Sequence, residues 1–453
     1  MDVNVQLPEN LLNRFIIAAA AVRECAEARV FSHNDADGIG AASVLVSMLT
    51  RLGKGVQATM LKSFDLEAVT AGAGPGVDLV IIADMGSSNL SALEALDRRM
   101  VVLDHHRPEK DSDKVVHLNP SVLKVDGARY ACASTLSMLL AVTVDENNWD
   151  LLPMAFAGMV GDRQHLQGLT GVNAHLFSEA GKRGLVQERK GSLLPPGPVG
   201  DVFMRSSHPF IRGVSGDEHG ISVLLREANV RPESTWDGLD ESGRRRLSSL
   251  ISLRLLEQGC TLGGLEDELA PDYFFPADNS RAATLTRLVN ACGRVDETAL
   301  GLAMLLGEEE ARKRAESLVK EYDDMLLDAA KRTAERGLSK GLGIQYFESP
   351  HKEVSSELCG IIMQWLGDQD KATICLTRMD HNFKVSSRGT RRLVDRDGLD
   401  LSVAMRDAAA SVGGVGGGHN IASGATVPLG KEIDFIQALD EIVAGQMNRI
   451  SAK

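Results

Sequence analysis

Aromatic residues are scarce in this chain, at 4% of its 453 residues. A protein that holds single-stranded nucleic acid by stacking bases on rings needs many of them, so a long stacking platform is disfavoured. Long apolar runs are missing too. The longest near the N-terminus, Phe15 to Val22, lies between Arg14 and Arg23 and is far too short to cross a bilayer. No signal-peptide cleavage pattern follows it, so a cytoplasmic protein with no membrane partner is expected. The six cysteines, at 25, 132, 260, 292, 359 and 375, include no CxxC pair. They imply neither a zinc knot nor a disulfide framework and read as buried or idle thiols. Excess positive charge is also absent. A net charge of −13 argues against coating nucleic acid through bulk charge. It leaves room for an enzyme whose carboxylate-lined metal site itself adds negative charge.

What is present is a repeated pattern of apolar strands ending in acids and imidazoles. Val101-Val102-Leu103 runs into Asp104-His105-His106. Arg29-Val30-Phe31-Ser32 runs into His33-Asn34-Asp35-Ala36-Asp37-Gly38, and Asp78 to Ala83 runs into Asp84-Met85-Gly86. Asp162 follows the apolar segment Met154 to Val160. Apolar runs of this kind read as buried strands, and in open α/β sheets ligands bind at strand ends.

Helices are expected over residues 9–28, 39–52, 91–99, 131–142 and 151–160, with Thr59-Met60-Leu61 as a short edge strand. The β-α-β-α-β order implies a doubly wound parallel sheet. The small residues Gly40, Ala41, Ala42 and Ser43 suit a helix packed close to the sheet. Gly191 to Gly200, rich in proline and glycine, reads as a linker. Residues 220–340 read as mostly helical and charged, with the strongest helix from Glu297 to Arg336 and i,i+4 pairs such as Glu308/Arg312 and Glu310/Arg314. The last part is a smaller α/β unit with strands over 341–347, 371–376 and 383–387, a glycine-rich loop from Gly413 to His419, and a closing helix from Glu432 to Met447. The expected domains are 1–190, 191–335 and 336–453.

His33, Asp35, Asp37, Asp84, His105 and Asp162 are all carboxylates or imidazoles. That set suits Mn²⁺, Zn²⁺ or Fe²⁺ better than an all-oxygen Mg²⁺ cage. It is too large for one ion that keeps a position open for water, and it suits two ions roughly 3.5–4 Å apart that share a carboxylate. Asp84, on the middle strand, is the chosen bridge. Such a pair activates water and stabilises charge on phosphoryl oxygens, which fits phosphoester hydrolysis. Asp104 then orients an imidazole, and His106 reaches the scissile phosphate as donor or acid. A plainer alternative stands beside this: Asp35 or Asp37 could cap the helix that starts near Ile39.

His33-x-Asp35-x-Asp37-Gly38, Asp84-x-Gly86, Asp104-His105-His106 and Gly161-Asp162 resemble, in order, the four motifs of the DHH phosphoesterase superfamily. Gly416-Gly417-Gly418-His419, followed by Ala422 and Gly424, resembles the GGGH motif of the associated DHHA1 domain. Leu288 to Arg294 is similar to a segment of archaeal RecJ-like members. The resemblance implies an N-terminal DHH domain, a helical middle region and a smaller C-terminal DHHA1 domain. It assigns His33, Asp35 and Asp84 to one ion and Asp37, Asp84, His105 and Asp162 to the other, with Mn²⁺ preferred and Mg²⁺ as the alternative. The DHHA1 domain would face the metals across a cleft and grip single-stranded DNA or RNA through Lys384, Ser386, Arg388, Gly416, Gly417, Gly418 and His419. Arg205 and Arg212 are further candidate contacts.

The expected activity is therefore that of a RecJ-like single-strand exonuclease releasing mononucleotides, in DNA repair or replication. Two alternatives accompany it. One is a phosphodiesterase for cyclic dinucleotides or short oligonucleotides. The other is a Cdc45-like scaffold of a replication or helicase complex, docking through the helical insert.

Overall fold

The computed structural model describes residues 7–166 and 168–451. The chain divides into two compact units, Met1–Gly191 with Ala270–Val319 and Ser192–Leu269 with Lys320–Lys453. The segment expected as a single insert is thus shared between them. The division falls inside the helix Glu309–Arg336. The long helix expected from Glu297 is broken at Gly307, whose φ of +95° ends the helix Thr298–Leu305 before the next begins. Ion pairs along the second helix join Glu310 to Lys313 and Arg312 to Glu316.

The first unit is built on five parallel strands, β1 (Glu27–His33), β2 (Gly55–Leu61), β3 (Leu79–Ala83), β4 (Met100–Leu103) and β5 (Val116–Leu118), in the order β2-β1-β3-β4-β5. All five residues of β3 are buried, as expected of a parallel strand covered on both faces. Alternation divides the side chains between two cores. Val30, Ile81 and Val101 join a core that includes Phe15, Leu45 and Phe156. Phe31, Val80, Ile82 and Val102 pack with Val69, Leu90 and Leu93. Each such side chain contributes about 1.5–3 kcal/mol by leaving water, and the two-sided burial makes the sheet doubly wound.

The helix after β1 starts at Ala36, three residues before the expected Ile39, because Asp35 Oδ1 accepts from Gly38 N at 3.1 Å and caps it there. Its small residues serve helix packing more than sheet packing. A Cβ on Gly40 would lie 2.7 Å from Met154 O in the helix Leu152–Gly161. Three further strands, β6 (Gln187–Arg189), β7 (Asp272–Phe275) and β8 (Ser280–Arg281), form a small antiparallel sheet that the sequence reading missed. From it the helix Ala282–Arg294 packs back on the first sheet's helices, with Thr286 Oγ1 donating to Ala157 O at 2.6 Å.

The second unit carries a mixed sheet of β9 (Ser339–Lys340), β10 (Ile344–Glu348), β11 (Ala372–Arg378), β12 (Asn382–Arg388), β13 (Val415–Gly418) and β14 (Ala422–Pro428), in the order β13-β14-β12-β11-β10-β9. The hairpin expected between residues 371 and 387 forms as β11–β12. The glycine-rich stretch is not a loop. Residues Val415 to Gly418 pair antiparallel with β14 as an edge strand, and a Cβ on Gly416 would come within 2.4 Å of Met405 O. Among the described residues, no helix is long and apolar enough to cross a membrane.

Gly158 gives the packing its sharpest test. A Cβ there would meet Ser134 Oγ at 2.2 Å and Asp37 Oδ1 at 2.8 Å, whereas a Cβ on the helical Gly181 would meet nothing within 4 Å. Urea unfolding should show Gly158→Ala destabilised by about 1–3 kcal/mol and Gly181→Ala neutral or stabilised by up to about 1 kcal/mol.

Candidate metal centre

Strand order places the motif residues together. β3 lies between β1 and β4, so His33, Asp84 and Asp104-His105-His106 leave the sheet at adjacent strand ends. The order reverses between β1 and β3, the kind of switch point at which diverging connections open a crevice.

Asp84 is the centre of the cluster. It has φ +60°, an uncommon conformation for a residue with a side chain, and its carboxylate is buried. Oδ2 lies 3.3 Å from His33 Nδ1 and Oδ1 lies 3.4 Å from His105 Nε2. His33 Nδ1 also meets Asp35 Oδ2 at 2.9 Å, while the other Asp35 oxygen caps the helix. Capping and site chemistry are therefore divided between two oxygens of one side chain. Asp37 serves a different helix. Its oxygens accept from Ala133 N at 2.7 Å and Ser134 N at 2.9 Å, in the first turn of the helix Ala133–Val144. His105 Nε2 lies 3.1 Å from Asp162 Oδ2 and 3.9 Å from Asp37 Oδ2. Asp162 reaches this position from the end of the helix Leu152–Gly161.

Asp104 is buried behind the cluster and holds the DHH turn. Its Oδ1 accepts from the backbone N–H groups of His105 and His106 and lies 2.7 Å from His106 Nδ1. Its Oδ2 accepts from Ser87 N at 3.0 Å. The imidazole it orients is that of His106.

Burial raises the pKa of Asp37 to about 6, helped by the charge of Asp84. Asp162 is pushed well up, again by burial and then by Asp37. Burial opposes a charged imidazole at His33, but the hydrogen bonds and charges of Asp35 and Asp84 outweigh it and bring the pKa to about 11. His105 is raised in the same way, burial being outweighed by Asp162, Asp84 and Asp37. Without cations, the surrounding carboxylates thus favour a proton on each of these imidazoles. Asp162 Oδ2 is buried and accepts no hydrogen bond. Crowded acids, imidazoles aimed among them and an unsatisfied oxygen fit divalent cations. The groups whose donor atoms lie within 4.8 Å of one another are His33/Asp35/Asp84, Asp84/His105/His106 and Asp37/Cys132/Asp162.

Four supporting residues escaped the sequence reading. Gln164 Nε2 lies 3.5 Å from His105 Nδ1 and donates to Ala131 O at 3.1 Å, while its Oε1 accepts from Asn173. Ser87 Oγ is shared by Asn119 and His117. Cys132, expected as an idle thiol, is buried beside Asp37, and its pKa is raised by burial and then by Asp37 and Asp162. The signal for Ser87 and Asn119 was present in their positions just after β3 and β5. Nothing in the sequence marked Gln164 or Cys132.

The candidate nucleic-acid residues lie in the second unit. Lys384, Ser386 and Arg388 share one face of β12, with Lys384 Nζ donating to Lys352 O and Arg388 Nη2 to Ser356 Oγ. Ser386 is buried and its carbonyl accepts from the Cys359 thiol, so it supports the strand rather than offering a surface hydroxyl. His419 is exposed at the end of β13. Arg205 and Arg212 are in the same unit, on the helix Val199–Arg205 and the loop after it.

Mn²⁺ should raise the melting temperature, since a ligand at about 100 times its Kd adds about 2.7 kcal/mol. Asp84→Ala should remove most of that shift in a calorimetric titration. Asp104→Ala should lower stability by about 2–4 kcal/mol even without metal, because it leaves three backbone N–H donors unsatisfied around a buried hole. Chemical denaturation in EDTA checks this.

The DHH family N-terminal domain model matches residues 27–160, and the DHHA1 domain model matches residues 340–445. Uncharacterized protein MJ0831 of Methanocaldococcus jannaschii is 30% identical over 431 residues, covering 93% of this chain and 94% of the relative. RecJ of Thermus thermophilus, solved in complex with Mn²⁺, superposes with a TM-score of 0.60 at 16% identity. That match covers 98% of this chain but only 56% of the Thermus protein, so the chain spans little more than half of that RecJ. CDC45 of Entamoeba histolytica superposes with a TM-score of 0.62 at 12% identity, covering 96% of this chain and 98% of that one. At these identities the two structures bear on the fold. The family models and the M. jannaschii relative place this chain in the DHH family of phosphoesterases, with a C-terminal DHHA1 domain.

Proposed function

We propose that this protein is a divalent-metal phosphodiesterase that acts as an exonuclease on single-stranded DNA or RNA and releases mononucleotides. The observation that carries this reading is the placement of Asp84. One of its oxygens faces His33 and the other faces His105, as a carboxylate shared by two ions requires. His33, Asp35 and Asp84 would hold one ion, and Asp37, Asp84, His105 and Asp162 the other. Divalent cations held there lower the pKa of water and offset charge on phosphoryl oxygens. Mn²⁺ is our choice, with Mg²⁺ as the alternative, because a mixed nitrogen and oxygen set favours the former; Thermus RecJ is known in complex with each.

The chain's own groups do the rest. Asp104 fixes the His106 ring through Nδ1, and with 36% of its side chain exposed the ring can meet a phosphoryl oxygen as hydrogen-bond donor. Gln164 packs beside the His105 ring, its own amide held by Ala131 O and Asn173. In the DHHA1 domain, Lys384, Arg388, His419 and the backbone of Gly416 to Gly418 would hold the substrate phosphates. Of these, Gly417 has open space where a Cβ would stand, which suits close approach of phosphate to the backbone there. Likeness to CDC45 keeps open a role as partner in a replication complex, alone or alongside catalysis.

End-labelled single-stranded DNA and RNA, incubated with Mn²⁺ beside an Asp84→Ala control, should be shortened progressively from one end. The control should lose activity by about 10³-fold or more, as expected when a catalytic cation loses its bridge. Cleavage confined to dinucleotides would replace the exonuclease by a small-substrate enzyme. No cleavage with Mn²⁺, Mg²⁺ or Zn²⁺ would overturn the catalytic reading in favour of the scaffold.

A further inference from the structure

An imidazole outside every family motif is held unusually firmly in the second unit. His208 Nε2 lies 3.4 Å from Glu357 Oε1, and Glu357 Oε2 accepts from the Tyr322 hydroxyl at 2.9 Å. Tyr322 is buried, whereas the His208 side chain is 38% exposed. The His208 backbone is clamped as well. Its N–H donates to Ser206 Oγ at 3.1 Å, and that hydroxyl donates to His208 O at 2.6 Å. Ser206 and Ser207 are themselves buried. An exposed ion pair alone adds little stability. A buried phenol that fixes the ring's carboxylate neighbour, together with a buried serine that clamps the residue's backbone, is better explained by a need for the ring's position.

The surroundings say what the ring would meet. Glu357 follows Ser356, whose hydroxyl accepts from Arg388 Nη2 at 2.6 Å. Arg388 pairs in register with Ala422, and the carbonyl of Ala422 accepts from His419 N at 2.9 Å. Lys384, four residues before Arg388 on the same strand face, donates to Lys352 O in the segment leading to Ser356. A continuous series of contacts therefore runs from the glycine-rich edge strand through Arg388 and the Ser356-Glu357 pair to His208. Glu357 is engaged by Tyr322 and His208, and Lys384 and Arg388 bring positive charge to the series. A run of a lysine, an arginine and an imidazole backed by a carboxylate matches the repeated negative charge of a phosphodiester chain.

We propose that His208 contacts a substrate phosphate and extends the Arg388–His419 face, with Glu357 and Tyr322 as positioning residues. This rests on the phosphodiesterase reading above and adds a contact that the family motifs do not contain. Loss of one charge-assisted hydrogen bond to phosphate corresponds to about a tenfold loss of affinity or more.

The test compares His208→Ala, His208→Gln and Glu357→Gln with the wild type, by steady-state kinetics on the longest phosphodiester that the wild type cuts. In parallel, anisotropy measures binding of a labelled single-stranded DNA 12-mer in Ca²⁺. His208→Ala should raise KM about tenfold with kcat within about twofold, weaken the 12-mer about tenfold, and leave the Mn²⁺-induced melting shift intact. His208→Gln should recover part of the loss, and Glu357→Gln should show a smaller KM effect in the same direction. Wild-type KM and affinity in His208→Ala would overturn the proposal, as would parallel losses of kcat and melting temperature, which mark a structural role. If the wild type cuts nothing but binds the 12-mer, the catalytic reading fails while the affinity ratio still decides the His208 contact. If the wild type neither cuts nor binds, both fail.

Discussion

Mutual repulsion among buried carboxylates is the constraint that the first unit is organised to bear. Asp37, Asp84 and Asp162 converge on His105, and Asp35 approaches from the His33 side. Unpaired charges in such a place are prohibitively costly. Without cations, protons held on His33 and His105 and the raised pKa values of Asp37 and Asp162 relieve the repulsion. Two divalent ions would relieve it more fully. The acids withstand the strain because backbone anchors them. Asp37 is held by the first turn of one helix, Asp35 by the turn it caps, and Asp104 by the two histidine N–H groups.

The same anchoring explains the demand for small residues nearby. Gly158 leaves room for Asp37 and Ser134, and Gly293 brings its helix against the Asn34 carbonyl, where a Cβ would lie 2.1 Å away. The helix Ala282–Arg294, far along the chain, is thereby part of the wall behind the His33–Asp37 segment. A substitution in that helix would act on the carboxylate cluster through the position of the Asn34-Asp35 turn, with none of the candidate ligands changed.

The second unit holds several cationic side chains in place on a chain that is acidic overall. Arg388 donates to the Ser356 hydroxyl and Lys384 to Lys352 O, and the His208 ring lies beside the Glu357 carboxylate. Fixed cations lose less entropy when they meet a phosphate than free ones do.

The sequence by itself determined the six candidate ligands, the parallel doubly wound sheet and the β11–β12 hairpin. These rest on local physics: apolar runs with two-residue alternation make strands, and strand ends deliver their polar residues to an edge. What it could not determine depends on distance through space. Whether Asp35 or Asp37 capped the nearby helix looked like a choice between them, and folding made each a cap, but of different helices. The division of residues 191–335 between two units, the edge strand formed by Val415 to Gly418, and the approach of Gln164, Cys132 and Gly293 to the centre were all decided by tertiary structure. They arise from packing between segments remote in the chain, and no local period or spacing records which remote partner a side chain will meet.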